Sequence, residues 1–257
     1  MVDNENKTSP NNSNSAQDPS RRKFIKNTGI ATGGVVGGAL LGGLIGNSYK
    51  SDDTSTTKDD TSERQYDESR MFFTRFEDFK VLQQATERIF PEDDNGPGAI
   101  KLGVPYFIDK QLAGEFGSNK KDYMKAPSKD IEDVTTYQTL MNRGEVFIEG
   151  LRKLNTESQN RHDTKFYDLE EADQDAMLID LEEGKIKLEA VKSNTFFKLL
   201  RQMTIEGAYA DPLYGGNRNM EGWKMREHPG IRASYIDVIE SEDFQKLDPI
   251  SLKDYQQ

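Results

Sequence analysis

Apolar side chains recur at intervals of three and four through most of residues 71–257, and no run alternates apolar and polar for long enough to make a strand. That periodicity restricts the chain to packed helices. Phe76, Phe79, Leu82, Ala85, Ile89 and Phe90 form one stripe, stopped by Pro91 and the turn-forming Asp93-Asp94-Asn95-Gly96-Pro97-Gly98. Val104, Phe107, Ile108 and Leu112 predict a second, shorter helix with Pro105 in its first turn. Val134, Tyr137, Leu140, Gly144, Phe147, Leu151 and Leu154 predict a long helix from Asp133 to about Asn160. Asp168, with Glu171 three residues on, reads as the start of a helix carrying Met177, Leu178 and Leu181. Ser193 precedes a stripe of Phe196, Phe197, Leu199, Leu200, Met203 and Ala208, which Asp211-Pro212 ends. The predicted fold is mainly α: one domain of five or six helices over residues 71–257, with a long structured loop near the C-terminus.

The chain upstream of residue 71 has a different character. Residues 1–19 are polar and read as disordered. Residues 20–49 begin with Ser20, Arg21, Arg22, Lys23, Phe24, Ile25 and Lys26 and continue into an apolar stretch from Ile30 to Ile45. A charged region before a short apolar one is a targeting signal, and the adjacent arginines with Phe24, Ile25 and Lys26 match the twin-arginine pattern. Eight glycines between Gly29 and Gly46 keep the apolar stretch only mildly hydrophobic, as such signals are. Gly34, Gly38, Gly42 and Gly46 recur every fourth residue and could also make a close-packing membrane face. No small-residue cleavage site follows Ile45, so a retained signal anchor is as open as a cleaved signal. Residues 50–70 are charged and Ser/Thr-rich, the composition of a solvated spacer. Export by the twin-arginine pathway implies a protein that crosses the membrane already folded, with a destination at the outer face of the cytoplasmic membrane, the periplasm or the cell-wall space.

Composition excludes several chemistries. With no cysteine, the chain has no disulfide, thiolate nucleophile, iron–sulfur cluster or lipidation site of the lipobox type. Residues 71–257 carry 25 basic and 35 acidic side chains, so the acidity belongs to the folded part and argues against nucleic acid. No dinucleotide fingerprint, phosphate-binding loop or nucleophile elbow occurs. A helical di-iron site needs Glu-x-x-His, but the residues three before His162 and His228 are Gln159 and Met225. His162 reads as a charge at a helix end. Paired carboxylates such as Asp93-Asp94, Glu170-Glu171 and Glu182-Glu183 read as solvated faces or caps. No catalytic, cofactor-binding or metal-ligating residue is predicted in this chain.

Ala210–Arg232 breaks the helical monotony. Pro212, Gly215, Gly216, Gly222, Pro229 and Gly230 cluster there with Tyr214, Asn217, His228 and the sole tryptophan, Trp223. Glycines allow left-handed backbone or close approach, and Trp and Tyr supply large amphipathic surfaces suited to interfaces. The segment either folds back on its own core or offers one face to a partner, and the two are compatible. Tyr214, Gly215, Gly216, Asn217, Trp223 and His228 are the partner-contact candidates.

Here the chain resembles the gluconate 2-dehydrogenase subunit 3 family, the gamma subunit of membrane-associated sugar dehydrogenases. The resemblance rests on the twin-arginine signal, the F-x-x-L-x-x-x-x-E-x-I-F-P element from Phe79 to Pro91, and Gly98-Ala99. Asp211-Pro212-Leu213-Tyr214-Gly215-Gly216-Asn217, Gly222-Trp223 and Pro229-Gly230 complete it. It implies a non-catalytic subunit that associates with a large flavoprotein of the glucose–methanol–choline oxidoreductase class. That flavoprotein holds FAD, and the small subunit supplies the export signal read by the twin-arginine translocase. Electrons would pass on to a cytochrome subunit or another acceptor. The alternative from the residues alone is a free-standing, membrane-tethered helical domain that binds a ligand outside the cell.

Overall fold

The computed structural model of the chain describes residues 68–122 and 141–255. Six α-helices carry these residues: α1 (Phe76–Ile89), α2 (Val104–Ala113), α3 (Arg143–His162), α4 (Glu171–Glu182), α5 (Ser193–Tyr209) and the single turn α6 (Glu221–Lys224). Short 3-10 turns at Phe166–Asp168, Pro212–Tyr214, Arg218–Met220 and Leu252–Tyr255 link or follow them. No strand is formed among the described residues, only the isolated bridges Asp93–Gly96 and Gly230–Ile250. The mainly helical expectation is met, and no helix among the described residues is long and apolar enough to cross a membrane.

α5 is the central element. It packs against α1, α2, α3, α4 and α6, and buries Phe196, Phe197, Leu199, Leu200, Met203 and Ala208. Two helices approach it at glycine. A Cβ on Gly150 of α3 would sit 2.5 Å from the Phe196 ring, and one on Gly207 of α5 would sit 2.8 Å from the Phe107 ring of α2. Phe147 and Phe196 meet edge to face across the α3–α5 contact, with ring centroids 5.7 Å apart. Each fully buried Phe or Leu in such a core contributes about 1.5–3 kcal/mol relative to exposure.

Polar anchors fix how the helices meet. The Asp78 carboxylate of α1, buried, accepts two hydrogen bonds from Arg152 of α3 at 3.0 and 2.9 Å. Arg88 at the end of α1 forks onto Asp175 of α4 at 2.8 and 2.9 Å. Asn155 of α3 accepts from the Phe166 amide at 3.0 Å and donates to Glu77 at 3.1 Å, joining α3, the Phe166–Asp168 turn and α1.

Three sequence expectations need correction. The long helix does not run unbroken from Asp133: residues 141–142 are non-helical, and α3 starts at Arg143 behind a capping box in which Asn142 and Glu145 satisfy each other's backbone amides. Val134, Tyr137 and Leu140 lie outside the described residues. Asp168 does not start a helix; it closes the Phe166–Asp168 turn, and α4 begins at Glu171 with no side-chain cap. Ser193 is the first residue of α5, as its place before the stripe suggests, and its hydroxyl is buried without a hydrogen-bond partner among the described residues. Phe76, placed on the core stripe, is exposed at the first position of α1, where Arg70 and Lys80 stand over its ring at 5.1 and 5.2 Å. Phe73, just before the helix, takes the buried place.

Phe73 is held by an acid. Asp109 of α2, fully buried, accepts from the backbone amides of Met71, Phe72 and Phe73, the last two at 3.1 and 2.8 Å. Residues 71–73 are thereby clamped onto α2.

Candidate functional site

A helix ends with carbonyls that have no intrahelical partner. At the C-terminus of α5 these carbonyls are satisfied by the segment that follows. The Asn217 amide nitrogen of the backbone donates to the Gly207 carbonyl at 2.9 Å, and its side-chain Nδ2 donates to the Ala210 carbonyl at 2.8 Å. Trp223 Nε1 donates to the Tyr209 carbonyl at 2.8 Å. Asn217 Oδ1 turns the other way and accepts from the Gly222 amide at 2.7 Å. One asparagine and one tryptophan, six residues apart in sequence, thus close the helix end.

The glycines follow from that closure. A Cβ on Gly216 would lie 2.2 Å from the Gly207 carbonyl oxygen, and one on Gly222 would lie 2.0 Å from the Ala208 carbonyl oxygen. Both contacts are with backbone, which cannot step aside. Gly215 holds φ at +92° and Asn217 at +45°, conformations that glycine and asparagine accept most readily. The segment also reaches outward: the Arg218 amide donates to the Leu102 carbonyl at 3.0 Å, tying it to the turn before α2.

Asp211 opens the segment and binds the C-terminal part of the chain. Its buried carboxylate accepts from the Leu213 amide at 2.9 Å, the Ser251 hydroxyl at 2.8 Å and the Leu252 amide at 2.9 Å. In the sequence Asp211 marks the end of the α5 stripe and the head of the Asp211–Asn217 motif, and neither role announces burial. Its burial depends on Ser251 and Leu252, about forty positions downstream, and no local signal marks that pairing.

The predicted contact residues therefore separate into two groups. Gly216, Asn217 and Trp223 are buried and complete the fold around the end of α5. Gly215 is half-buried, while Tyr214 and His228 are exposed. His228 sits edge-on to Trp223 with centroids 5.5 Å apart, and its backbone amide donates to the Trp223 carbonyl at 2.9 Å. Of the six, Tyr214 and His228 present side chains to the surface. The signal residues Ser20, Arg21, Arg22, Phe24, Ile25 and Lys26 lie outside the described residues.

Elsewhere, His162 is the last residue of α3, with its Nδ1 3.9 Å from Asp173. An open cleft of about 550 Å³ is lined by Met71, Phe72, Leu112, Gly117 and Asn142, with Glu115 and Lys120 at its edge. Among the described residues no group of three His, Cys, Asp or Glu is placed to hold a metal ion.

Outside the loop, the partly screened carboxylates Glu77 and Asp180 are held below the usual carboxylate range. For Glu77 the hydrogen bond from Lys165 is the main cause, supported by the charge of Lys165 and the bond from Asn155. For Asp180 partial burial is the largest single influence and pushes upward, but hydrogen bonds and charge from Arg161 and Lys185 together outweigh it. Both belong to structural ion pairs: Arg161 lies 2.6 Å and Lys185 3.1 Å from Asp180, and Lys165 lies 2.9 Å from Glu77.

The sequence model of the family described as gluconate 2-dehydrogenase subunit 3 matches residues 77–230, from the first turn of α1 to the end of the segment that caps α5. No curated protein and no solved structure matches the chain. The match takes in more than half of the sequence and every described α-helix except the first residue of α1, so this chain belongs to the gluconate 2-dehydrogenase subunit 3 family.

Proposed function

We propose that the chain is the non-catalytic small subunit of a membrane-associated, FAD-dependent dehydrogenase acting on a sugar or sugar acid of the gluconate type. Its family membership over residues 77–230 is the observation that carries the reading. The FAD belongs to a large subunit of the glucose–methanol–choline class, which this chain stabilises and escorts. Electrons pass on to a cytochrome subunit or another acceptor. Arg21 and Arg22 form the address read by the twin-arginine translocase, and the complex works at the outer face of the cytoplasmic membrane.

The architecture is consistent with an escort. A folded-protein export signal requires a domain that is complete before transport. Asp109 ties Phe72 and Phe73, the start of the described domain, to α2. Among the candidate contacts, Tyr214 and His228 are the ones left exposed.

Co-expression with the organism's glucose–methanol–choline flavoprotein tests the reading. The two proteins are expected to co-purify with a flavin absorption spectrum. Replacing Arg21 and Arg22 together by lysine is expected to leave both in the cytoplasmic fraction. If that double substitution strands this chain while the flavoprotein is still exported, the escort role is wrong. If the purified chain alone oxidises substrate, its non-catalytic role is wrong.

A further inference from the structure

Residues 231–249 form a loop whose two ends meet. At the base, Gly230 bridges Ile250, with the Ile231 amide donating to the Ile250 carbonyl at 2.8 Å and the Ile250 amide to the Pro229 carbonyl at 3.3 Å. Arg232 donates to the Asp248 carbonyl at 2.8 Å, Lys246 pairs with Glu227 at 2.7 Å, and the Ala233 amide donates to the Tyr255 hydroxyl at 3.2 Å. Just beyond Ile250, Ser251 and Leu252 are fastened to Asp211. The loop is therefore rooted in the same segment that caps α5.

Between these fixed ends, the loop turns its apolar side chains outward. Tyr235 is 46% exposed, Ile236 75%, Ile239 74% and Phe244 93%. The Val238 and Ile239 amides both donate to the Tyr235 carbonyl, at 3.0 and 2.9 Å, so one turn holds Tyr235, Ile236 and Ile239 close together. Single exposed apolar residues need no explanation, but several within one anchored loop mark an interaction surface. Tyr214 and Tyr255 extend the surface toward the root, because the Pro212–Tyr214 turn packs against the Leu252–Tyr255 turn.

Charge selects the occupant. Asp237, Glu240, Glu242, Asp243 and Asp248 accompany the apolar residues, against Arg232 and Lys246 alone, and both of those cations turn back to the base. These exposed acids, interleaved with the apolar side chains, are repelled by an anionic lipid surface. They are also repelled by the same acids on a second copy of a chain with a net charge of −11. Such a loop complements a protein surface that offers an apolar groove edged by lysine and arginine.

We infer that the loop 231–249 is a docking element for the flavoprotein large subunit, with Ile236, Ile239 and Phe244 as the apolar anchors and the flanking acids facing a basic rim on the partner. The loop lies beyond the residues matched by the family. The inference rests on the escort reading above for the identity of the partner.

The test uses the full chain with the flavoprotein. Ile236→Ser, Ile239→Ser and Phe244→Ser are combined in one variant, whose fold is checked by circular dichroism and Trp223 fluorescence. Removing all three anchors from an interface is expected to weaken binding at least about thirtyfold. A photo-crosslinking residue at position 244 is expected to label the flavoprotein. If the wild-type chain binds the flavoprotein and the variant binds equally well, the docking role is overturned and the escort reading survives. If the wild-type chain does not bind, the escort reading fails and takes this inference with it. If the substitutions instead abolish self-association in sedimentation equilibrium, or binding to vesicles of phosphatidylglycerol and phosphatidylcholine, the occupant is a second copy or a membrane and the inference is wrong.

Discussion

Replacing Asn217 by alanine should cost far more than an ordinary loop substitution, because its side chain ties together two backbone positions that nothing else reaches. The side chain is fully buried and spans from the Ala210 carbonyl to the Gly222 amide at 2.8 and 2.7 Å. Truncation leaves the buried Gly222 N–H without a partner, a loss of about 1–3 kcal/mol, and removes a second bond worth about 0.5–1.5 kcal/mol. The backbone at this position has φ of +45°, which alanine occupies less readily than asparagine. Together these terms give a destabilisation of about 3 kcal/mol, or roughly 6–12 °C in Tm for a domain of this size. The sole tryptophan makes the assay simple. Trp223 is bonded to the same helix end, so its fluorescence reports on the cap while far-UV circular dichroism reports on the helices. Urea titrations followed by both probes should show the loss, and detachment of the cap alone would make the fluorescence transition come first. Asn217→Gly, which accepts the left-handed backbone, should lose less than Asn217→Ala. A loss below about 1 kcal/mol in Asn217→Ala would refute the claim that this residue closes α5.

Gly150→Ala should destabilise by about 1–3 kcal/mol in the same titration, since its Cβ would lie 2.5 Å from the Phe196 ring and force the α3–α5 contact apart; an unchanged midpoint would contradict the packing described. Asp109→Ala strips three backbone amides of their acceptor and should cost about 2–4 kcal/mol, with faster amide exchange at Phe72 and Phe73 as the local readout. Acid should weaken the fold through Glu77 and Asp180, whose folded-state carboxyls sit below their ordinary range. Such groups contribute stability above their unfolded pKa and lose it as pH falls through the folded one, so urea midpoints should hold near neutrality and drop below about pH 4. Glu77→Gln and Asp180→Asn should each flatten that acid decline, and a decline as steep as wild type would rule those pairs out as its source.

The distribution of acids shows where reading the sequence succeeds and where it stops. Glu170, Glu171 and Glu183 are solvent-facing, as an acidic chain without apolar surroundings suggests. Asp78, Asp109 and Asp211 look the same in the sequence, yet all three are buried. Each is buried because its partners arrive from a distant segment: Arg152, the amides of residues 71–73, and Ser251 with Leu252. A carboxylate enters an interior only when donors meet it there, and no spacing rule records a donor that lies dozens of residues away.

The candidate loop divides in the same manner. Its glycines, asparagine and tryptophan announced an ordered segment, because such residues are needed where backbone runs close or left-handed. The sequence could not say that the surface they meet is the end of α5. Gly216 and Gly222 are required by carbonyls of residues 207 and 208, and Trp223 by the carbonyl of residue 209. Only when the chain turns back on that helix does Trp223 go inward and Tyr214 outward.

What the sequence determined by itself is the helical class, most helix ends, the ordered segment after α5 and the family to which these features belong. All of these rest on short-range physics: periodicity, turn chemistry and residue type read over a few positions. The tertiary structure decided which acids are anchors, which loop residues cap a helix and which face solvent, and that the apolar side chains of 231–249 stay outside the core. Those outcomes depend on which distant groups meet, and therefore on the free energy of the assembled fold and not on any window of its sequence.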